Sequence, residues 1–307
     1  MMKQQLVIGT RGSKLALWQA EYIAECLRKQ HKELTVTLKH IVTTGDKILD
    51  VPLAKIGGKG LFTKELELSM LHGEIDLAVH SLKDMPTELP QGLSLAAITQ
   101  RADPYDAFVS TRYAALDDLP QGATLGTSSL RRKAQLLHYR PDLVIRDLRG
   151  NLDSRLRKLD EGQFDAIILA AAGLKRLGWG ERISQILPPE ICLPAVGQGA
   201  LAIEARQGDS EVFSKLEFLN HEPTYLVTTA ERAFLRTVEG GCQVPVGVFG
   251  QWLEHEICLE AIIASVDGKR LLRQVVRAPK EQATESGCVL AKKMLDLGGR
   301  QILDEIR

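Results

Sequence analysis

A cysteine beside a pair of glycines is the residue of this sequence best placed for covalent attachment of a ligand. Cys242 lies between the glycine pair at 240–241 and Pro245. Glycines allow a bulky group to approach the sulfur, and an amphipathic run over 223–238 predicts a helix that ends just before them. Because the C-terminal end of a helix dipole is negative, this position does not favour a reactive thiolate. The pattern fits a cysteine that is alkylated once and kept as an anchor; a buried structural cysteine is the competing interpretation.

Arginine-containing turns recur at three places, each between a predicted strand and a predicted helix. The segments are Thr10-Arg11-Gly12-Ser13, then Gly126-Thr127-Ser128-Ser129 with Arg131 and Arg132, and then Arg149-Gly150-Asn151 with Arg155. Free N–H groups at helix N-termini and guanidinium groups both bind carboxylates or phosphates. A first-turn arginine is usually just solvated, but three such turns in a chain of zero net charge favour a small polyanionic ligand. None of them matches a P-loop or a dinucleotide-binding fingerprint.

A lysine and an aspartate follow the predicted buried strand over 75–79. Lys83 and Asp84 therefore lie at the strand end where α/β proteins bind ligands. A carboxylate among several cations would stay ionised, and it could stabilise a developing positive charge or transfer a proton. Asp84 could equally well cap the turn before Pro86, and the pattern alone leaves both interpretations open.

The stretch 44–60 is rich in glycine and lysine and too long for a simple turn. It contains Lys55 and Lys59. Loops of this kind are either mobile covers over an active site or solvated connectors, and the sequence does not separate the two.

Alternating strands and helices must position these residues over the first two thirds of the chain. Predicted strands cover 6–9, 34–38, 75–79, 93–98, 124–126, 143–146, 166–170 and 201–205, and predicted helices start at Ser13 and cover 61–71, 128–139 and 151–161. This alternation predicts parallel α/β sheets covered on both faces. The last third has a helix, three strand-like runs (244–252, 256–264 and 270–277) and a helix over 281–297, which predicts a small α+β domain carrying Cys242.

Composition predicts a globular, multidomain protein. The chain has 307 residues, 44% hydrophobic content, and 39 basic against 39 acidic residues, which argues against a nucleic-acid or membrane-surface binder. The five cysteines (Cys26, Cys192, Cys242, Cys258 and Cys288) are odd in number and contain no CxxC pair. This favours a reducing compartment and no metal site. With no signal-like or membrane-spanning stretch, we expect a cytoplasmic protein, with monomer as the default state.

Taken together, the motifs resemble those of the hydroxymethylbilane synthase (porphobilinogen deaminase) family. The matching segments are Arg11-Gly12-Ser13, Gly57-Gly58-Lys59-Gly60, His80-Ser81-Leu82-Lys83-Asp84, Gly126-Thr127-Ser128-Ser129-Leu130-Arg131-Arg132, Leu148-Arg149-Gly150-Asn151, Pro194-Ala195-Val196-Gly197-Gln198-Gly199 and Glu239-Gly240-Gly241-Cys242-Gln243-Val244-Pro245. They follow in order over nearly the whole chain, with no departure at a position that the family uses for chemistry.

The resemblance implies an α/β fold of two doubly wound lobes, similar to type II periplasmic binding proteins, plus a small C-terminal α+β domain. The expected boundaries are 1–99 with 200–218 for lobe 1, 105–193 for lobe 2 and 222–307 for the third domain. Crossover hinges are expected near 99–104 and 193–199.

The resemblance also implies an activity and a cofactor. The family condenses four porphobilinogen molecules head to tail with loss of ammonia, and it releases linear hydroxymethylbilane by hydrolysis. Growth starts from a covalent dipyrromethane, which by match is anchored at Cys242 through a thioether. Asp84 is implied as the catalytic residue that offsets positive charge on the ring nitrogens and transfers protons.

The remaining site residues come from the same matched motifs. Those implied for the cofactor are Lys83, Thr127, Ser129, Arg131 and Arg132; those implied for substrate are Arg11, Ser13, Arg149, Arg155 and Arg176; Lys55 and Lys59 belong to the loop. The many carboxylates of a growing pyrrole chain would explain several arginines in a neutral protein.

Two other functions are compatible with parts of this pattern. A two-lobed protein could bind an anionic solute without catalysis, because a fold does not fix a function. A cysteine acyl transferase is the other possibility, but no histidine is placed by sequence to activate Cys242.

Overall fold

The structure, a computed structural model, describes residues 4–47, 60–239 and 244–306. Cys242, Lys55 and Lys59 lie outside the described residues. In the described ranges, no helix is both long enough and apolar enough to cross a bilayer. The described residues divide into two compact units: 4–47, 60–101 and 200–225 form the first, and 102–199, 226–239 and 244–306 form the second.

The predicted strands and helices occur in the predicted order, together with short elements that were not predicted. The strands are β1 Gln5–Thr10, β2 Thr35–His40, β3 Leu77–Ser81, β4 Leu93–Ile98, β5 Asp106–Val109, β6 Thr124–Gly126, β7 Val144–Arg146, β8 Ala166–Ala170, β9 Gln185–Leu187, β10 Leu201–Arg206, β11 Val246–Leu253, β12 Glu256–Ala264 and β13 Leu271–Pro279. The helices are α1 Lys14–Gln30, α2 Thr44–Lys47, α3 Lys64–Leu71, α4 Leu130–Tyr139, α5 Leu152–Asp160, α6 Ala171–Arg176, α7 Ser210–Leu216, α8 Glu222–Thr237, α9 Ala283–Met294 and α10 Arg300–Asp304.

The first unit is built on a five-stranded sheet in the order β2-β1-β3-β10-β4. Strands β1, β2 and β3 are parallel, as predicted, but β10 runs antiparallel to both of its neighbours. The predicted parallel arrangement is therefore found for β1, β2 and β3 but does not extend to β10. Leu82 N donates to Ala200 O at 3.0 Å, so the chain enters β10 beside the end at which it leaves β3. A strand that enters there must run in the opposite direction, whereas helix-linked crossovers give parallel neighbours.

The second unit contains a sheet with the same arrangement, in the order β7-β6-β8-β5-β9. Strands β6, β7 and β8 are parallel, and β5 is antiparallel to β8 and β9. In both sheets the strand in the fourth position runs antiparallel to its two neighbours.

Helices cover both faces of each five-stranded sheet, as the alternating pattern predicted. In the first unit, Ile23 and Leu27 of α1 pack on one face, and Leu66 and Met70 of α3 pack in a separate cluster with Ala78 of β3. In the second unit, α4 contributes to one buried cluster, while α5 and α6 contribute to another. The apolar residues of the central strands are almost completely buried, which is typical of sheets with two covered faces.

The C-terminal part of the second unit is an antiparallel three-stranded sheet, β11-β12-β13, packed with α8 and α9. This agrees with the predicted α+β arrangement. The final helix is shorter than predicted, because α9 ends at Met294 and a wide turn over Leu295–Gly299 separates it from α10. Gly298 has φ 104°, a left-handed conformation that interrupts a right-handed helix.

Candidate active site

Two predicted ligand-binding turns lie at one edge of the first sheet. Strands β1 and β3 are adjacent and parallel, so their carboxyl ends share an edge. Arg11 and Ser13 follow β1, and Lys83 and Asp84 follow β3 in a single helical turn over Leu82–Asp84. Ser13 caps α1 by accepting a hydrogen bond from Ala16 N at 3.3 Å, as its residue type predicted. The carboxylate of Asp84 is exposed at this edge.

Arg11 already has an anionic partner in this structure. Its guanidinium forms an ion pair with Asp46 and lies over the Phe62 ring, 4.2 Å from the ring centroid. Burial by itself would raise the pKa of Asp46, but hydrogen bonds from Arg11 and Thr43 outweigh it and lower that pKa. A ligand carboxylate at Arg11 would therefore have to compete with Asp46, a residue that the sequence did not single out.

A buried polar cluster lies behind the Asp84 turn, and its role was not predicted. His80 Nε2 is 3.1 Å from Glu204 Oε2, and both side chains are almost completely buried. Glu67 of α3 is near both of them, and its pKa is raised, first by burial and further by the charge of Glu204. On the other face of β3, Gln19 Nε2 donates to Ser81 Oγ at 2.9 Å. These contacts fix β3, the strand that leads into the turn carrying Asp84.

The other two arginine turns lie at one edge of the second unit's five-stranded sheet. Strands β6, β7 and β8 are parallel, so the turns after Gly126 and Arg146 lie side by side. Ser128 Oγ bonds both the N and the O of Leu148, at 3.0 and 3.1 Å, which joins the two turns directly. Thr127 N donates to Arg146 O at 2.9 Å, and Ser129 caps α4 by accepting from Arg132 N at 3.4 Å.

Two of the predicted arginines donate to backbone carbonyls of the second unit. Arg155 Nε donates to Gly150 O at 2.8 Å, and Arg176 Nη2 donates to Gly199 O at 2.7 Å. Arg149 differs, because its Nη1 is buried without a hydrogen-bond partner among the described residues. A buried guanidinium nitrogen in that state is costly unless an acceptor binds it. A carboxylate ligand would satisfy it.

Arg131 and Arg132 both bind the buried carboxylate of Asp106. Arg131 Nη1 is 2.7 Å from Asp106 Oδ2, and Arg132 Nη2 is 2.6 Å from Asp106 Oδ1. All three side chains are almost completely buried. Burial alone would raise the pKa of Asp106, but the charges and hydrogen bonds of the two arginines hold it far below its usual range. Sequence reasoning identified the two cations and missed the anion that holds them.

The residues at this second edge fit a ligand with several carboxylates. Two guanidiniums share one carboxylate, Arg149 has an unsatisfied nitrogen, and α4 begins at the same edge with its N–H groups. Cationic groups and helix N-termini together bind anions. A dipyrromethane has acetate and propionate side chains, so its charge and chemistry suit these donors.

The two five-stranded sheets have the same strand arrangement, each with one antiparallel strand, and this arrangement defines the fold class of the protein. It has two α/β lobes similar to those of type II periplasmic binding proteins and a smaller α+β domain. Solved structures that overlap with it include a methionine-binding lipoprotein from Bacillus subtilis (TM-score 0.43, 14% identity, 71% of this chain and 90% of that chain). Another is a nutrient-binding protein from Burkholderia cenocepacia (TM-score 0.45, 15% identity, 69% of this chain and 90% of that chain). The fold assignment rests on the strand orders rather than on these overlaps.

Sequence comparison identifies the family. Residues 6–214 match the family model described as porphobilinogen deaminase, dipyromethane cofactor binding domain, and residues 225–296 match the C-terminal domain of the same family. Porphobilinogen deaminase from Desulforudis audaxviator is 52% identical over 306 residues, covering 100% of this chain and 99% of the relative. Its counterpart from Desulforamulus reducens is 50% identical with the same coverage. The chain belongs to the porphobilinogen deaminase family.

Proposed function

We propose that this chain is a hydroxymethylbilane synthase, a transferase of tetrapyrrole synthesis that condenses four porphobilinogen molecules and releases the linear product by hydrolysis. The observation that carries the proposal is its membership of the porphobilinogen deaminase family over the whole length of the chain. The exposed carboxylate of Asp84, on the same sheet edge as Arg11 and Ser13, supports it. Each condensation replaces a hydrogen on a pyrrole carbon by the methylene carbon of the incoming unit and releases ammonia.

Asp84 is the proposed catalytic residue. Asp84 is exposed at the sheet edge, where its carboxyl group can protonate the departing amine and afterwards, as the carboxylate, take up the proton that leaves the pyrrole carbon. The negative charge also offsets positive charge that develops on a pyrrole nitrogen. Lys83, next to it, is proposed to bind a ligand carboxylate.

The resident cofactor is dipyrromethane, and we propose Cys242 as its point of attachment. When bound, dipyrromethane supplies the pyrrole carbon from which the product chain is extended. Thr127, Ser129, Arg131 and Arg132 are proposed to hold its carboxylates, and Arg11, Ser13, Arg149, Arg155 and Arg176 to hold those of the substrate. The unsatisfied Nη1 of Arg149 and the hydroxyl-rich start of α4 support this assignment. Lys55 and Lys59 are proposed as loop contacts.

The three-domain boundaries, a cytoplasmic location and a monomeric state are part of the same proposal. The domain boundaries rest on the motif match, and the location rests on the scattered cysteines, which favour a reducing compartment. The monomeric state is the default, because the sequence has no heptad or apolar stripe that demands a partner.

Intact mass of the denatured protein tests the function and the anchor together. We expect the purified chain to carry the added mass of two linked pyrrole units, and a peptide map to place that mass on Cys242. Brief exposure to porphobilinogen should add species heavier by one, two and three further pyrroles, since elongation is stepwise.

Matched cysteine variants are the control. Cys242→Ala should carry no pyrrole mass and show no turnover, whereas Cys258→Ala, which alters a partly buried cysteine of β12, should behave like the unaltered chain. An unaltered chain that gains no mass even after incubation with porphobilinogen would overturn the synthase assignment in favour of a binding protein.

A further inference from the structure

Asp106 is brought to the ligand-binding edge by the antiparallel direction of β5. It is the first residue of β5, and it pairs with Ala170, the last residue of β8. The amino end of β5 therefore lies at the edge where the parallel strands have their carboxyl ends. A carboxylate is placed there without belonging to any of the three arginine turns.

Five hydrogen bonds converge on the Asp106 carboxylate. Oδ1 accepts from Arg132 Nε at 3.1 Å, Arg132 Nη2 at 2.6 Å and Gln198 Nε2 at 2.9 Å. Oδ2 accepts from Arg131 Nη1 at 2.7 Å and Cys192 Sγ at 3.2 Å. Bonds from charged donors are the strong ones, and a fully buried carboxylate holds them in fixed geometry.

The same two arginines also donate to backbone carbonyls. Arg132 Nη1 donates to Ile168 O at 2.9 Å, and Arg131 Nη1 donates to Leu193 O at 2.6 Å as well as to Asp106. These contacts fix the plane of each guanidinium at the N-terminal turn of α4.

The charge in this cluster does not balance. Two guanidinium cations share one carboxylate, and among the described residues neither of them bonds a second carboxylate. Cys192 adds no negative charge, because burial, followed by the charge of Asp106, raises the pKa of its thiol to about 12. The cluster is left with one net positive charge in a buried setting, and such a charge favours an anionic partner.

We propose that Asp106 is a positioning residue for the cofactor. It aims Arg131 and Arg132 at the ligand-binding edge and neutralises only one of them, so that the other charge remains for a ligand carboxylate. This rests on the proposed function, in which the two arginines hold dipyrromethane carboxylates. Asp106 itself does not touch the ligand; it acts through the arginines.

The test measures cofactor loading and stability in the same variants. Asp106→Asn keeps the size of the side chain but removes the charge that orients the guanidiniums. We expect the fraction of purified protein carrying two linked pyrroles, read from intact mass, to fall about tenfold, since a hydrogen bond to a charged group is strong enough to change an equilibrium by that factor. Unfolding in denaturant is measured on the same samples.

Phe108→Leu is the matched control for a purely structural effect. Phe108 lies in the same strand and is completely buried, and it makes none of the Asp106 contacts. Its truncation should lower the free energy of unfolding while loading stays within about twofold of the unaltered chain. Asp142→Asn, which removes a carboxylate paired with Arg140, is the control for charge, and it too should load normally.

The positioning role would be overturned if the cofactor-loaded fraction fell in proportion to the lost free energy of unfolding, with the same proportion in Asp106→Asn and Phe108→Leu. Should Asp106→Asn not fold, Asp106→Glu serves in its place, because it keeps the charge but displaces the carboxylate by one methylene group. We expect it to load less than Phe108→Leu at equal stability. Failure of the proposed function gives a different result, namely an unaltered chain that carries no pyrrole mass after incubation with porphobilinogen.

Discussion

Two glutamates of the first unit have pKa values shifted in opposite directions, which allows a pH test at the scale of single residues. Burial raises the pKa of Glu67, and the neighbouring Glu204 raises it further. A hydrogen bond from Lys39, at 2.7 Å, lowers the pKa of Glu74. Ionisation of Glu67 therefore costs stability as pH rises through its folded pKa, whereas ionisation of Glu74 adds stability, which is lost as pH falls through its folded pKa.

The expected outcome is a pair of opposite pH profiles. Relative to the unaltered chain, Glu67→Gln should gain stability as pH rises above 4.5, the ordinary pKa of a glutamate, whereas Glu74→Gln should be less stable above that pH, and this deficit should disappear as pH falls below it. Urea unfolding at several pH values measures both. Charged and titratable groups near Glu67 are Glu65 on its own helix, His80 on β3 and Glu204 on β10. Parallel profiles for the two variants would show that burial does not control the pKa of Glu67.

The sequence alone was enough to locate those residues that lie just after a strand with a clear hydrophobic pattern. Arg11, Ser13 and Asp84 lie within three residues of strand ends, so the hydrophobic pattern was enough to place them at the carboxyl ends of parallel strands. Asp106 and Glu204 were missed because their partners are distant in sequence. Asp106 binds an arginine 25 residues away, and Glu204 contacts a histidine 124 residues away. Only the sheet pairing brings those residues together, and a local pattern does not contain it.

The arginine turns differ in whether a side chain caps the helix that follows the turn. Ser129 caps α4 with a side-chain hydrogen bond, whereas Asn151 stands at the start of α5 without one. In a Cys242→Ala background, Ser129→Ala should lower the free energy of unfolding by about 1 kcal/mol, and Asn151→Ala should lower it by clearly less. The background excludes any contribution from cofactor, and urea unfolding gives both values. Equal losses would mean that residue type alone, and not the observed bond, determines the effect.

Several strands were predicted with accurate ends, and two short ones were not predicted. Strands β4, β8 and β12 have the predicted bounds. Strands β5 and β9 were missed, because four and three residues do not establish a period by themselves, although β6 is as short and was predicted with its observed bounds. The antiparallel direction of β10 could not be predicted either, because a strand's direction depends on where the chain enters the sheet.

At the scale of the whole molecule, the C-terminal sheet and the preceding α/β sheet belong to one compact unit. Val248 N donates to Pro194 O at 3.1 Å, and His138 Nδ1 lies 2.8 Å from Gly268 O. Glu231 of α8 accepts from Gly197 N at 2.7 Å. The helix that begins at the arginine cluster is thus packed at its other end against the turn between β12 and β13.

Gly268 tests how much this contact contributes to stability. It has φ +75°, and an added Cβ would lie 2.5 Å from His138 N. Gly122 has almost the same φ, +74°, with nothing within 4 Å of an added Cβ, so it is the matched control. Gly122→Ala should cost about 1 kcal/mol of unfolding free energy for the left-handed backbone alone. Gly268→Ala should cost about 3 kcal/mol, because backbone atoms of α4 must also move. Equal losses in urea unfolding would show that the turn can withdraw from α4 at no cost, and that the close packing does not hold the C-terminal sheet in place.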